Sequence, residues 1–454
     1  MSKKKIYSAK WVLPISDSPI ENGAVVIDKH KIVDVGTRKE IKKKYPDVDI
    51  EAHPHSVILP GFVDLHTHLE YSIFRGVCDD LDFSKWKLQV ALKSKELNEH
   101  EWQVSSNLGA LEAVQAGITT IADITYSGNS LDAAVEASLR GRVFFEITGM
   151  DRRKTDEIIK AGRSSVDSLR EIAKGTKIDV GISPHSPYTV CPPLYKTVSE
   201  WAIDEKMQLC THLAGSKDEY QFVKYGSSAL AGSYREIMGW SDLLWHPTGT
   251  SPVKYLEQWG VFKSDILAVH CVHVDEFDLD VLQKNDVAIV NCPKCNAKLG
   301  MGIAPMKEFR DRGFRLGLGT DSPSSSNSMD MFDEMRIALF LQRGITQSAE
   351  HSPAEAFVKM ATIGGAKALR IDNKVGTLEP GKEADMIIVD LSHSHQEIVV
   401  DPYAALVYSV NQENVILSMV GGEVIYKDYD FLTLDEEEII DLSEPVRHKL
   451  KKLS

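Results

Sequence analysis

The amino-acid sequence predicts an α/β protein, a (β/α)8 barrel carrying a small β-sandwich domain made from the two ends of the chain. Three observations predict it. Between positions 62 and 321, short β-branched runs alternate with stretches of helical periodicity, the pattern of βα units and a parallel sheet. The two ends read differently, as short β runs separated by turns. At 454 residues the chain is too long for one ordinary core and suits a large barrel plus a smaller unit.

The first segment places β runs at 10–14, 23–28 and 31–36, with Glu21-Asn22-Gly23 as a turn signal. The same texture returns after the loop Gly376-Thr377-Leu378-Glu379-Pro380-Gly381-Lys382, at 385–390 and 415–426. Two such segments flanking a long central region pack most simply as one satellite domain, formed by residues 1–57 and 375–454. The barrel then spans 58–374, with strands expected at 62–68, 118–123, 143–148, 180–183, 208–212, 267–270, 288–291 and 316–321. Helical segments lie between most of them. In 103–115, for example, Val104, Leu108, Leu111 and Val114 share one face. A doubly wound open sheet is the alternative, but no glycine-rich nucleotide fingerprint supports it.

Composition excludes several function classes. Hydrophobic residues make up 43% and charged residues 26%, as in a soluble globular protein. A net charge of −14 argues against a nucleic-acid or anionic-membrane partner. No apolar run is long enough to span a bilayer. The start, Met1-Ser2-Lys3-Lys4-Lys5-Ile6, has no apolar stretch behind its lysines, so no signal peptide is expected. Six scattered cysteines suit a reducing cytoplasm, and the lone Cys292-Pro293-Lys294-Cys295 lacks the second pair a zinc ribbon requires.

The polar residues at the strand ends carry the chemistry. In Pro60-Gly61-Phe62-Val63-Asp64-Leu65-His66-Thr67-His68, an apolar run leads into two histidines that an extended chain turns to one side. Strand four ends in His185, strand five in His212, strand six in His270 with His273 behind it, and strand eight in Asp321. Singly, such a histidine is a satisfied buried side chain and such an aspartate a helix cap. Barrel closure gathers all the C-terminal strand ends around one opening, which weakens that reading when they are taken together. His66, His68, His212 and Asp321 can then close on one metal, and three nitrogens with a carboxylate suit zinc or ferrous iron better than magnesium or calcium. An ion held this way lowers the pKa of its water from about 15.7 toward roughly 7, so the reaction class is metal-assisted hydrolysis.

With these residues in place, the chain resembles the amidohydrolase superfamily, in particular its branch of aromatic aminohydrolases and chlorohydrolases. The resemblance covers essentially the whole chain. It rests on the 60–68 motif, Ser183-Pro184-His185-Ser186-Pro187-Tyr188-Thr189, His270-Cys271-Val272-His273, Cys292-Pro293-Lys294-Cys295-Asn296-Ala297-Lys298-Leu299-Gly300 and Gly317-Leu318-Gly319-Thr320-Asp321-Ser322. It implies that His66, His68, His212 and Asp321 are the ligands of one Zn2+ or Fe2+. It further implies that Asp321 takes the proton of the attacking water and that His270 holds and polarises the resulting hydroxide. His185, Trp86 and Arg142 become substrate contacts. The implied substrate is a small heteroaromatic molecule, and a homodimer is the common assembly in the family.

One departure stands out. Family deaminases continue strand five as His-x-Ala-Glu, and that glutamate moves protons onto the ring and the leaving amine. Here the run is His212-Leu213-Ala214-Gly215-Ser216-Lys217-Asp218-Glu219. General acid–base help is typically worth about 10²–10⁴-fold, so Glu219, or Glu70 beside the His-x-His, is the expected substitute, with Glu70 placed among the substrate contacts. Cys295, where relatives commonly carry serine, is read as an inert side chain. The expected activity is deamination of a purine or adenine-nucleoside-like ring, leaning by resemblance toward the aminodeoxyfutalosine deaminase group. The alternatives are a chlorohydrolase of a ring such as a triazine, which the missing glutamate favours, and a non-enzymatic binding protein on the same barrel.

Overall fold

The computed structural model describes residues 4–396 and 399–452; the Met1–Lys3 start lies outside them. Four strands open the chain: β1 (Lys5–Val12), β2 (Ile20–Asp28), β3 (Lys31–Thr37) and β4 (Ile50–Pro60). Eight more follow: β5 (Phe62–Thr67), β6 (Ile118–Thr125), β7 (Arg140–Ile147), β8 (Ile178–Pro184), β9 (Leu209–Leu213), β10 (Ile266–His270), β11 (Ala288–Asn291) and β12 (Leu316–Leu318). The last are β13 (Met386–Asp390), β14 (Val415–Val420), β15 (Glu423–Lys427) and β16 (Asp430–Phe431).

Strands β5 to β12 form one parallel sheet in sequential order, and a parallel bridge from Thr67 to Asp321 joins its two ends. Helices run between most of the strands, so the (β/α)8 barrel is present. Its strands alternate as the barrel requires. Ile266, Ala268 and Ile289 face the surrounding helices, whereas Leu267, Val269, Ala288 and Val290 join Val63 and Leu65 in the core that fills the barrel.

The terminal strands form a second sheet in the order β16-β15-β14-β13-β4-β1-β2-β3. It hydrogen-bonds as one continuous sheet, with Val25, Ile27, Ile58, Met386, Ile388 and Met419 in one apolar cluster. β4 passes directly into β5 through Gly61, where a Cβ would meet the Thr119 side chain at 2.2 Å. The Gly61 N–H donates to the Asp385 carbonyl at 3.2 Å, and Arg140 donates to the Asp385 carboxylate at 2.6 and 3.1 Å. The final helix, Glu436–Lys451, returns to the barrel and packs Val446 and Leu450 on Phe74 and Trp102. Among the described residues no helix is long and apolar enough to cross a membrane. All six cysteines are buried and unpaired.

Left-handed residues lie at or just beyond the ends of three barrel strands. β12 stops at Leu318, short of the expected Asp321, which has φ +58° and pairs only through its isolated bridge to Thr67. β10 ends at His270 (φ +76°), as expected, and β9 runs one residue past its expected end, to Leu213, before Ala214 (φ +50°). Such conformations cost about 1–3 kcal/mol each and collect where function fixes a side chain.

Candidate active site

The register between β5 and β6 shifts between Asp64 and Thr67. This bulge lets a strand that buries Val63 and Leu65 in the barrel also turn His66 and His68 to its mouth. Asp64 locks the bulge, accepting from the His66 N–H at 3.2 Å, the Thr320 N–H at 3.0 Å and the Thr320 hydroxyl at 2.6 Å. The His68 Nδ1 lies 3.2 Å from the Ile124 carbonyl and the His212 Nδ1 lies 2.9 Å from the His185 carbonyl. A carbonyl only accepts, so each Nδ1 carries the proton and each Nε2 lone pair is free. His66 is wholly buried, and neither of its ring nitrogens has a hydrogen-bond partner.

These three rings converge, His66 lying 4.8 Å from His68 and 4.9 Å from His212 between centroids. Ligand atoms of His66, His68 and His212 fall within 4.8 Å of one another, and those of His270, Cys292 and Asp321 form an adjoining group of the same tightness. Asp321 links the two groups. Its Oδ1 is 3.6 Å from His66 Nε2 and 3.9 Å from His68 Nε2, and its Oδ2 is 4.0 Å from His270 Nε2. Those separations are too long for hydrogen bonds and are of the order expected between neighbouring ligands with bonds of about 2.0–2.2 Å. The orphaned buried nitrogens of His66 and this spacing fit a divalent cation.

Electrostatics point the same way. Burial, reinforced by the charge of His66, lowers His68 to about 3, and burial lowers His270 to about 4. Burial and the surrounding histidines hold His212 well below the usual range. Burial alone would raise the Asp321 carboxyl, yet the neighbouring His66, with His270 and His68, keeps it well below. His68, His212 and His270 are therefore neutral imidazoles beside an ionised carboxylate, the protonation states in which such groups bind metal.

Above this cluster opens a cavity whose wall carries Trp86, Lys87, Glu146, His185, His270 and Asp321. Trp86 forms part of its wall, its indole N–H held by the Ser324 carbonyl and hydroxyl at 3.2 Å each. His185 faces the cavity with Nδ1 2.8 Å from the hydroxyls of Ser186 and Thr189 and Nε2 3.2 Å from Lys87 Nζ. An ammonium only donates, so His185 Nε2 accepts and Nδ1 carries the proton. Cys295 lines the wall with its thiol pushed up by burial and by Asp321, which leaves it unreactive.

The structure corrects two expected substrate contacts. Arg142 stands near the start of β7 and points to the opposite, N-terminal end of the barrel, where it bonds Gln208 and lies 3.3 Å from Asp179. Glu70 is also absent from the cavity wall. Wholly buried, it accepts from the Thr125 hydroxyl at 3.0 Å, the Tyr126 N–H at 2.6 Å, and the Ser127 N–H and hydroxyl at 3.1 and 2.6 Å. It organises the loop after β6. Glu70→Ala strands those buried donors and is expected to destabilise the fold by about 2–3 kcal/mol in urea unfolding. Glu219 does not take the missing glutamate's place either. Its carboxyl accepts from the Ala214 and Gly215 N–H groups at 2.8 and 2.9 Å and pins the turn that follows His212.

Two charged residues of the cavity wall escaped the sequence reading. Lys87 lies one position past Trp86 on the helix Phe83–Ser94, and nothing in the sequence distinguishes it from neighbouring surface lysines. Glu146 sits near the C-terminal end of β7 and lines the cavity. Applying the strand-end rule to β7 would have found it in place of Arg142.

Comparison with known proteins agrees with this architecture. The profile of the amidohydrolase family matches residues 57–425. A 5-methylthioadenosine/S-adenosylhomocysteine deaminase of Pelotomaculum thermopropionicum is 34% identical over 433 residues, 93% of each chain. A 5'-deoxyadenosine deaminase of Methanosarcina mazei is 31% identical over 434 residues, 95% of this chain and 94% of its own. A zinc-bound adenosine deaminase from Xanthomonas campestris shares the fold, with a TM-score of 0.86 at 22% identity and 98% of each chain covered. The chain is a member of the amidohydrolase family.

Proposed function

We propose that this protein is a metal-dependent aminohydrolase that replaces the exocyclic amine of an adenine-nucleoside-type ring with oxygen. One observation carries the reading: three histidines with free or unpartnered ring nitrogens and one carboxylate converge at the floor of a cavity. In this reading His66, His68, His212 and Asp321 hold one divalent ion, Zn2+ or Fe2+, which both accept such ligands. When bound, that ion supplies Lewis acidity and makes water nucleophilic at neutral pH.

The protein's own groups do the rest. Asp321, kept ionised, accepts a proton from the attacking water. His270, 4.0 Å from Asp321, orients that water toward the ring carbon. His185, its tautomer fixed by Ser186, Thr189 and Lys87, stands over the ring edge, and Trp86 packs beside it. Relatives named as deaminases of methylthioadenosine, S-adenosylhomocysteine and 5'-deoxyadenosine support the nucleoside class. Buried unpaired cysteines suit a reducing, cytoplasmic setting.

Ammonia release tests the reading. Protein stripped of metal and reloaded separately with zinc and ferrous iron is given 5'-deoxyadenosine, S-adenosylhomocysteine, aminodeoxyfutalosine, guanine and an aminated triazine, with chloride followed on a chlorotriazine. Ammonia from at least one nucleoside is expected. Chloride release alone would move the function to dehalogenation, the reading that Gly215 favours.

A further inference from the structure

Deamination moves two protons, one to the ring nitrogen and one to the leaving amine, and Asp321 carries one of them. Water oxygen bonds to the ring carbon, the C–N bond breaks with its electron pair leaving on nitrogen, and an NH2 group departs as ammonia only if it gains a proton. The turn after β9 cannot provide one. Gly215 has no side chain, and a Cβ there would meet His270 Cδ2 and Met301 Cε at 3.0 Å each, so a longer side chain would have to push them aside. Glu70 and Glu219 are committed to backbone N–H groups away from the cavity.

Among the described residues, Glu146 is the one carboxyl besides Asp321 on the cavity wall. Its Oε2 lies 4.0 Å from His185 Nε2, the nitrogen that Lys87 Nζ approaches at 3.2 Å. Glu146 reaches the mouth from β7, whereas the turn after β9 carries Gly215. It therefore approaches the cavity from a different side from the position left empty.

We propose that Glu146 is the proton donor to the leaving amine, with Lys87 as a positioning residue that holds His185 and the Glu146 carboxyl in register. The inference rests on the deaminase reading above. Protons balance as follows: Glu146 gives its proton to the departing NH2, and the attacking water gives up two. One of these ends on the ring nitrogen of the lactam product and the other returns to Glu146. Burial, moderated by Lys87, pushes Glu146 up to about 7, where a carboxyl both holds and releases a proton near neutrality.

A change of leaving group tests the assignment, because chloride departs without a proton. Zinc-loaded wild type and Glu146→Gln are compared on 5'-deoxyadenosine and on its 6-chloro counterpart. Zinc content and affinity for the deaminated product, 5'-deoxyinosine, are measured alongside. For Glu146→Gln we expect kcat on the amine to fall about 10²–10⁴-fold, with KM, zinc content and product affinity within a few-fold of wild type. Chloride release stays within about tenfold of wild type, and Glu146→Asp recovers part of the amine rate.

An amine rate within about tenfold of wild type would overturn the assignment. So would equal losses on both substrates with no recovery in Glu146→Asp, the signature of a structural role. Wild type silent on the amine would overturn the deaminase reading and this assignment together.

Discussion

A His66→Ala protein is expected to lose its divalent ion and to deaminate more than about 10³-fold more slowly than wild type. The magnitude follows from the nucleophile. Holding water against a divalent ion brings its pKa from about 15.7 to roughly 7, so loss of that ion removes several orders of magnitude of hydroxide at neutral pH. Stability should move little. His66 is wholly buried with both ring nitrogens unpartnered, so its removal breaks no hydrogen bond within the protein. It even relieves a desolvation cost of about 1–3 kcal/mol, set against the small void left behind. Metal content by elemental analysis, paired with urea unfolding of the metal-free forms, separates these effects. A His66→Ala protein that retains one ion and wild-type turnover would remove His66 from the site.

The second large effect lies at the other end of the barrel. Arg140→Met should destabilise the protein by about 3–5 kcal/mol, because it leaves the Asp385 carboxylate buried without its counter-charge. Arg140 is 9% exposed and Asp385 3%, and their two hydrogen bonds join the start of β7 to the loop that enters β13. Asp385 also accepts from the Gly421 N–H at 2.7 Å, so the pair anchors the terminal sheet to the barrel. The double variant Arg140→Met, Asp385→Asn should recover part of the loss, since the charge goes with its partner. kcat should stay within about twofold of wild type in either protein, because removal of a distant residue does not act on the transition state.

The parts of the site that follow local rules were legible in the sequence. His66 and His68 could be read because i and i+2 share a side of an extended chain, and His212, His270 and Asp321 because a closed barrel gathers its strand ends. What could not be read depends on distant packing. The bulge at Asp64 forms through Thr320, more than two hundred positions away. Arg142 was a substrate contact by resemblance alone; β7 begins at Arg140, which leaves Arg142 at the bottom and carries Glu146 to the top. Glu70 and Glu219 have the chemistry of acids, but their partners are backbone N–H groups whose positions only the folded loops define. Lys87 gives no local signal at all. The terminal β segments were recognised, whereas the return of the last helix to the barrel depends on the apolar contacts of Val446 and Leu450 with Phe74 and Trp102.

The most direct measurement is a titration of metal-free protein with zinc while the adenine absorbance of 5'-deoxyadenosine is followed. Conversion to the hypoxanthine spectrum should be absent without metal, should rise with added zinc, and should level off at one ion per chain. An adenine spectrum that stays unchanged at every zinc level, here and with ferrous iron, would contradict the assignment of this site to nucleoside deamination.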